Sequence, residues 1–249
     1  IETTRKGAGG PPQVTLRART GIASPVRGYD DFLITDALAY HAVLKQSYLN
    51  AGEPVPTNVY GDPNSPTVPA YIWPNACAAV PQPAACANVV TAFDAWGRPT
   101  AVNTSAYSFP NTLIMPGSAG TNWWDAVFGT APVHDYNVDV SGGSDVNAYR
   151  VSFNYFNQGG TARWNDFKRG SVRVNTQFNR GRFNFGENLA IAVARHHGGM
   201  PSDPDGFAED GILGKNILMQ PVIPVYDLNG NFAGGKATGL GNQSNPLKA

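Results

Sequence analysis

The chain has 249 residues, enough for one large or two ordinary domains, and its 18 Lys+Arg balance its 18 Asp+Glu. That neutrality excludes a basic field for nucleic acid and an acidic tail. Charged residues make up only 14%, against roughly 25% in typical globular chains, while 28 Gly, 20 Pro and 11% aromatics suit a strand-and-loop protein rather than a helical bundle.

No run approaches the ~20 consecutive apolar residues of a transmembrane helix. The opening residues IETTRKGAGG carry no apolar signal segment. The chain is expected to start mid-pattern and stop mid-loop at Pro246–Ala249, as a piece of a longer protein.

In chain order, the first element is a strand at Val14–Thr20, where Val14, Leu16 and Ala18 oppose Thr15, Arg17 and Arg19. A very long link then runs from about Gly21 to Val133. Within it Thr35 is placed to cap a helix from Asp36 to about Ala51, with Gly52 as the stop. The Pro-rich stretch from Pro54 to Pro116 is expected to form no regular element. A second helix, capped by Thr121, is expected over Asn122–Gly129. Four alternating segments follow. Tyr136, Val138 and Val140 stand against Asn137, Asp139 and Ser141, and Tyr149, Val151, Phe153 and Tyr155 against Arg150, Ser152 and Asn154. Val172, Val174 and Phe178 then oppose Arg173, Asn175 and Gln177, and Phe183, Phe185, Leu189, Ile191 and Val193 oppose Asn184, Gly186, Asn188 and alanines. A period of two held through four segments predicts strands.

The later strands approach the ~9–11 residues of a membrane-crossing strand, longer than the ~5–6 usual in soluble sheets. The turns GGSDVN and RGR are short, while the links after Thr20 and Arg195 are long, the asymmetry of outer-membrane barrels. Aromatics at strand ends (Tyr136, Tyr155, Phe156, Phe178, Phe183) suit interfacial girdles. A secreted soluble β-sandwich, serving as a carbohydrate-binding module with an extended recognition loop, also alternates and remains the alternative.

Three segments are more specific. Gly120–Asn179 (GTNWWDAVFGTAPVHDYNVDVSGGSDVNAYRVSFNYFNQGGTARWNDFKRGSVRVNTQFN) resembles the first barrel hairpins of SusC/RagA-type TonB-dependent outer-membrane transporters. IETTRKG at Ile1–Gly7 looks like the last strand of that family's plug domain. PVIPVYDLNGNFAG at Pro221–Gly234 is similar to its third external loop. The resemblance implies an all-β fold, part of a large antiparallel transmembrane β-barrel of about 22 strands with a plugged lumen. Residues 1–7 would end the plug, and 8–249 would be the N-terminal part of the barrel, an open meander of about five strands. Partly helical external loops would lie at about 21–133 and 196–249. It further implies active import of large nutrients such as oligosaccharides or peptides across the outer membrane of a Gram-negative bacterium. A SusD-like surface lipoprotein would lid the barrel, and the TonB complex would energise it through parts outside this chain. On this reading one strand face meets membrane lipid and the other meets plug and lumen water. Glu187 breaks the apolar face, either through a bulge or because it lies near the periplasmic interface, and the second is favoured.

No hydrolase, zinc-protease or phosphate-loop motif is present, so the chain is read as no enzyme and is expected to hold no cofactor. His196 and His197, in a predicted external loop, lack the further ligands a metal needs. The acids Asp203, Asp205, Glu209 and Asp210 do not match a calcium loop. DLNGN at Asp227–Asn231 predicts a tight turn. Trp123 and Trp124 are candidates for stacking on sugar, although the helical pattern favours core packing. Cys77 and Cys86 are expected to form a disulfide, since their segment falls outside the cell and two prolines let it turn back.

Overall fold

The computed structural model describes residues 10–25, 30–73, 77, 84–106, 114–198, 211–234, 240 and 243–248. The plug-like segment Ile1–Gly7 lies outside them. In chain order the elements are β1 (Gly10–Ala23), α1 (Ala37–Ala51), α2 (Thr57–Tyr60), β2 (Gly61–Asp62), β3 (Ser65–Pro66), β4 (Tyr71–Ile72), β5 (Val90–Phe93), β6 (Pro99–Val102), β7 (Met115–Pro116), α3 (Trp123–Val127), β8 (Ala131–Gly143), β9 (Asn147–Gly159), β10 (Asp166–Arg180), β11 (Phe183–His197) and α4 (Ile212–Leu218). They form two compact units. One comprises Ile1–Val26 and Phe128–Gly199, the other Arg27–Val127 and Met200–Ala249.

The first unit is one antiparallel sheet in the order β1-β8-β9-β10-β11. Its strands run 13 to 15 residues, longer than the sequence alternation shows, at both ends except in β11, which starts at Phe183 as expected. The order follows from the turns. Ser144–Val146 closes the β8–β9 hairpin, where Ser144 N–H donates to the Asn147 carbonyl at 2.7 Å. Gly143 fits there because a Cβ would stand 2.3 Å from that same carbonyl. Gly181, at φ +60°, turns β10 into β11. The pairing of β1 with β8 slips between Gly10 and Gln13, where Pro11 and Pro12 have no N–H for the ladder. Glu187 sits opposite Thr176 in a continuous β10–β11 register. The bulge is thereby excluded as the reason it breaks the apolar face.

The second unit has its own core, assembled from both long links. Ile114, Met115, Val222 and Ile223 are almost fully buried and Tyr60, Ile72 and Trp123 nearly so. Each such side chain contributes roughly 1.5–3 kcal/mol by leaving water. Backbone bonds stitch the two links: Ser118 N–H to the Val222 carbonyl (2.9 Å), Thr121 N–H to Pro221 (2.9 Å) and Leu228 N–H to Ile114 (3.1 Å). Two helix caps differ from expectation. Asp36, not Thr35, caps α1 by accepting from Ala39 N–H at 2.7 Å, while Gly52 ends it at φ 70°. Thr121 does not cap α3; its hydroxyl donates to the Ile223 carbonyl at 2.7 Å. Asn122 Oδ1 instead accepts from Asp125 N–H at 3.2 Å. The stretch from Pro54 to Pro116 also departs from expectation, since it contributes three two-stranded ribbons, β2–β3, β4–β7 and β5–β6.

Candidate functional site: the two faces of the sheet

Directly paired residues of antiparallel strands project to the same side, and successive residues to opposite sides. The register therefore sorts the sheet into rows. One face carries Leu16, Val138, Phe153, Val172 and Ile191 in a single row across all five strands. The next row is Val14, Val140, Val151, Val174 and Leu189, and a third is Ala18, Tyr136, Tyr155, Gly170 and Val193. Phe153 and Val172 lie on interior strands, yet they are 47% and 39% exposed. An apolar surface this broad, left open on interior strands, is built to meet something other than water.

The opposite face is polar and holds a groove of about 980 Å³. Its charged lining consists of Arg17, Arg19, Arg150, Arg169 and Arg173, against Asp135 and Asp139. Asp139 is buried, and its Oδ1 accepts from Arg150 Nε (3.1 Å), Arg150 Nη2 (2.8 Å) and the Ser152 hydroxyl (2.5 Å). A carboxylate taken from water needs that many donors to offset its desolvation. Asn154 Nδ2 similarly donates to Asp135 Oδ1 at 2.7 Å. On β11 the groove is lined by Ala190 and Ala192, small residues that leave depth beside the arginines. The groove offers guanidinium, hydroxyl and amide donors, which suits holding polar matter rather than bond-breaking chemistry.

Every residue expected on a given face lies on it, from Tyr149 and Val151 on the apolar side to Arg150, Gln177 and Asn188 on the polar side. Arg169 and Ser171 escaped the sequence pattern. The alternation continues before Val172, but Gly170 stands at an apolar position and Lys168 at another, and together they hide it.

Other candidate residues are placed differently. Trp123 is only 2% exposed and donates through Nε1 to the Gln220 carbonyl at 3.1 Å, so it is core and has no free face for a sugar. Trp124 beside it is half-buried. His196 and His197 end β11 rather than lying in a loop, and the pleat sends them to opposite faces. His197 Nδ1 lies 3.6 Å from Asp166 Oδ2. Among the described residues no three His, Cys, Asp or Glu converge as metal ligands. Asp203, Asp205, Glu209 and Asp210 lie outside the described residues. Cys77 and Cys86 are joined by a disulfide, with Cα atoms 5.4 Å apart. Asp227 organises the DLNGN turn, its Oδ1 accepting from the Asn229 and Asn231 N–H groups at 2.8 Å each.

No protein-family profile matches the chain. In sequence it is similar to the TonB-dependent receptor SusC of Bacteroides thetaiotaomicron, 28% identical over 113 residues, which covers 44% of this chain and 10% of SusC. It is also similar to a TonB-dependent receptor of Formosa agariphila, 25% identical over 145 residues, covering 57% of this chain and 13% of that protein. In fold it matches the RagAB peptide importer in its closed-closed state, with a TM-score of 0.60 and 22% identity over 99% of this chain and 25% of the other. A structure of the RagAB peptide transporter gives a TM-score of 0.55 at 23% identity, over 92% of this chain and 23% of that one. The chain thus spans about a tenth of the curated relatives and about a quarter of the solved chains.

Proposed function

We propose that this chain, a segment of a TonB-dependent transporter of the SusC/RagA type, forms early strands of an outer-membrane barrel that actively imports large nutrients such as oligosaccharides or peptides. The carrying observation is the division of one five-stranded sheet into an open apolar face and a grooved polar face. Lipid is the solvent that suits the first, and a plug and a water-filled lumen suit the second. Dimensions agree. From Gly170 to Phe178 the apolar side of β10 rises roughly 27 Å along the strand, or about 21 Å vertically at a ~40° tilt, close to the ~25 Å band of such barrels. The short turns then face the periplasm and the long links face outward.

The relatives' names support the coupling. SusC is a TonB-dependent receptor and RagAB is a peptide importer. On this reading a plug closes the lumen, the TonB complex supplies energy, and a SusD-like lipoprotein lids the outer mouth. Glu187 lies toward the periplasmic interface. A soluble sandwich is disfavoured because it would cover the apolar face of the sheet with a second sheet.

The decisive experiment is growth of a strain lacking the full gene on a panel of oligosaccharides and peptides as sole nutrients. Loss of growth on one class, restored by the gene but not by a version lacking its TonB-contacting segment, is the expected result. Undiminished growth on every member of the panel would count against import.

A further inference from the structure

One row on the apolar face is polar from end to end. Thr20, His134, Asn157, Lys168 and Arg195 pair in sequence across the five strands. It lies immediately beyond the row Ala18–Tyr136–Tyr155–Gly170–Val193, on the side of the long links. Lys168 and Arg195 are directly opposite one another on β10 and β11. Like charges so placed repel, with Cβ atoms about 5 Å apart, and destabilise a sheet unless an anion comes between them. Among the described residues the carboxylate beside them is Asp166, 3.8 Å from Lys168 Nζ and shared with His197 at 3.6 Å. Arg195 has no partner among the described residues. Below the pair, Gly170 stands between Tyr155 and Val193, and a Cβ there would meet nothing within 4 Å. The apolar row thus has a notch directly under two cations.

We propose that Lys168 and Arg195, helped by the Asn157 amide, bind the phosphate headgroup of a lipid in the external leaflet, with an acyl chain lying in the notch over Gly170. The inference rests on the outer-membrane reading above and adds to it a specific lipid site. Generic snorkelling places single cations at an interface. It does not account for two cations in directly paired positions, nor for the gap in the aromatic row beneath them. A phosphomonoester bridges both cations with charge-assisted bonds, and its hydrocarbon fills the space that a side chain at position 170 would take. Asp166 opposes binding and limits its strength.

The test uses the full-length transporter purified from membranes, with native mass spectrometry reading binding of bis-phosphorylated lipid A. Folding of each variant is checked by its heat-dependent gel mobility. Lys168→Gln and Arg195→Gln are each expected to weaken binding about tenfold, the effect of one lost charge-assisted hydrogen bond. Asp166→Asn should strengthen it. Arg169→Gln, one residue away but on the groove side, should leave it unchanged. Gly170→Leu should weaken it with both cations intact. Inorganic phosphate alone should not compete at millimolar concentration. Equal binding by the double Lys168→Gln/Arg195→Gln variant, equal binding of dephosphorylated lipid A, or loss of binding in millimolar free phosphate overturns the site. Failure of the unaltered protein to extract with membranes would instead overturn the outer-membrane reading.

Discussion

His41 in α1 is fully buried, neither ring nitrogen has a hydrogen-bond partner among the described residues, and its ring stands edge-on to Tyr60 at 4.5 Å. Burial first, and the Arg98 charge second, hold its pKa down to about 4, against the opposing pull of Asp36. The folded state therefore refuses a proton that the unfolded chain accepts near pH 6.5. The stability His41 confers is whole above pH 6.5 and drains as pH falls towards 4, by an amount on the order of 3 kcal/mol. Hydrogen exchange in the loop unit of the full-length protein should speed up across that window. A His41→Leu variant should show a flat profile there, and an equally steep one would sink the assignment. The Cys77–Cys86 bridge acts in the same unit. Both sulfurs are buried, and a Cys77→Ser/Cys86→Ser variant should lose about 2–3 kcal/mol of local stability. Protease nicking between these positions should accelerate, with no change in the exchange of the sheet. The two caps show where reading at this scale stops. Thr35–Asp36 and Thr121–Asn122 each offer two capping side chains in succession. At α3 it is Asn122 that accepts from the helix, while the Thr121 hydroxyl is anchored to the Ile223 carbonyl, 102 residues away.

At the scale of elements, the sheet was legible because its alternation sorts apolar and polar side chains onto opposite faces. Phe153 and Asn154 differ in sequence by one step and in surroundings by the thickness of a strand. The ribbons β2–β3, β4–β7 and β5–β6 were not legible. Strands of two to four residues have no period to detect, and Ile72 and Met115 pair across a long insertion that sequence alone cannot close. The same two faces give a sharp mutational contrast. Val172→Arg, in the middle of the apolar rows, should cost the full-length barrel about 2–4 kcal/mol of folding free energy in lipid vesicles. Ser171→Arg, adjacent but facing the groove, should cost under about 1 kcal/mol, as a tolerated lumen change does. Denaturant titration of both variants in vesicles checks this. Equal penalties would mean that the sheet does not separate lipid from lumen.

At the scale of the molecule, the division into a sheet unit and a loop unit was only half foreseen, because the loop core joins Trp123 to Val222 and Ile223 from links that look unrelated in sequence. The sheet also has a property that no single strand reveals. Among the described residues β1 pairs only with β8, and β11 only with β10. Each therefore presents an outer edge, 14 residues long in β1 and 15 in β11, of unpaired backbone groups. Five strands cannot close on themselves, since the smallest membrane barrels need about eight. Long edges flanked by exposed Leu16, Ile191 and Val193 are templates for pairing with other copies. These 249 residues expressed alone should therefore give polydisperse assemblies in detergent, whereas the full-length protein, with the proposed barrel closed, should run as one species. Light scattering after size exclusion distinguishes them. A monodisperse monomer of the short chain in plain buffer would mean that its edges are covered and its apolar face folded away, and the barrel reading would fall with it.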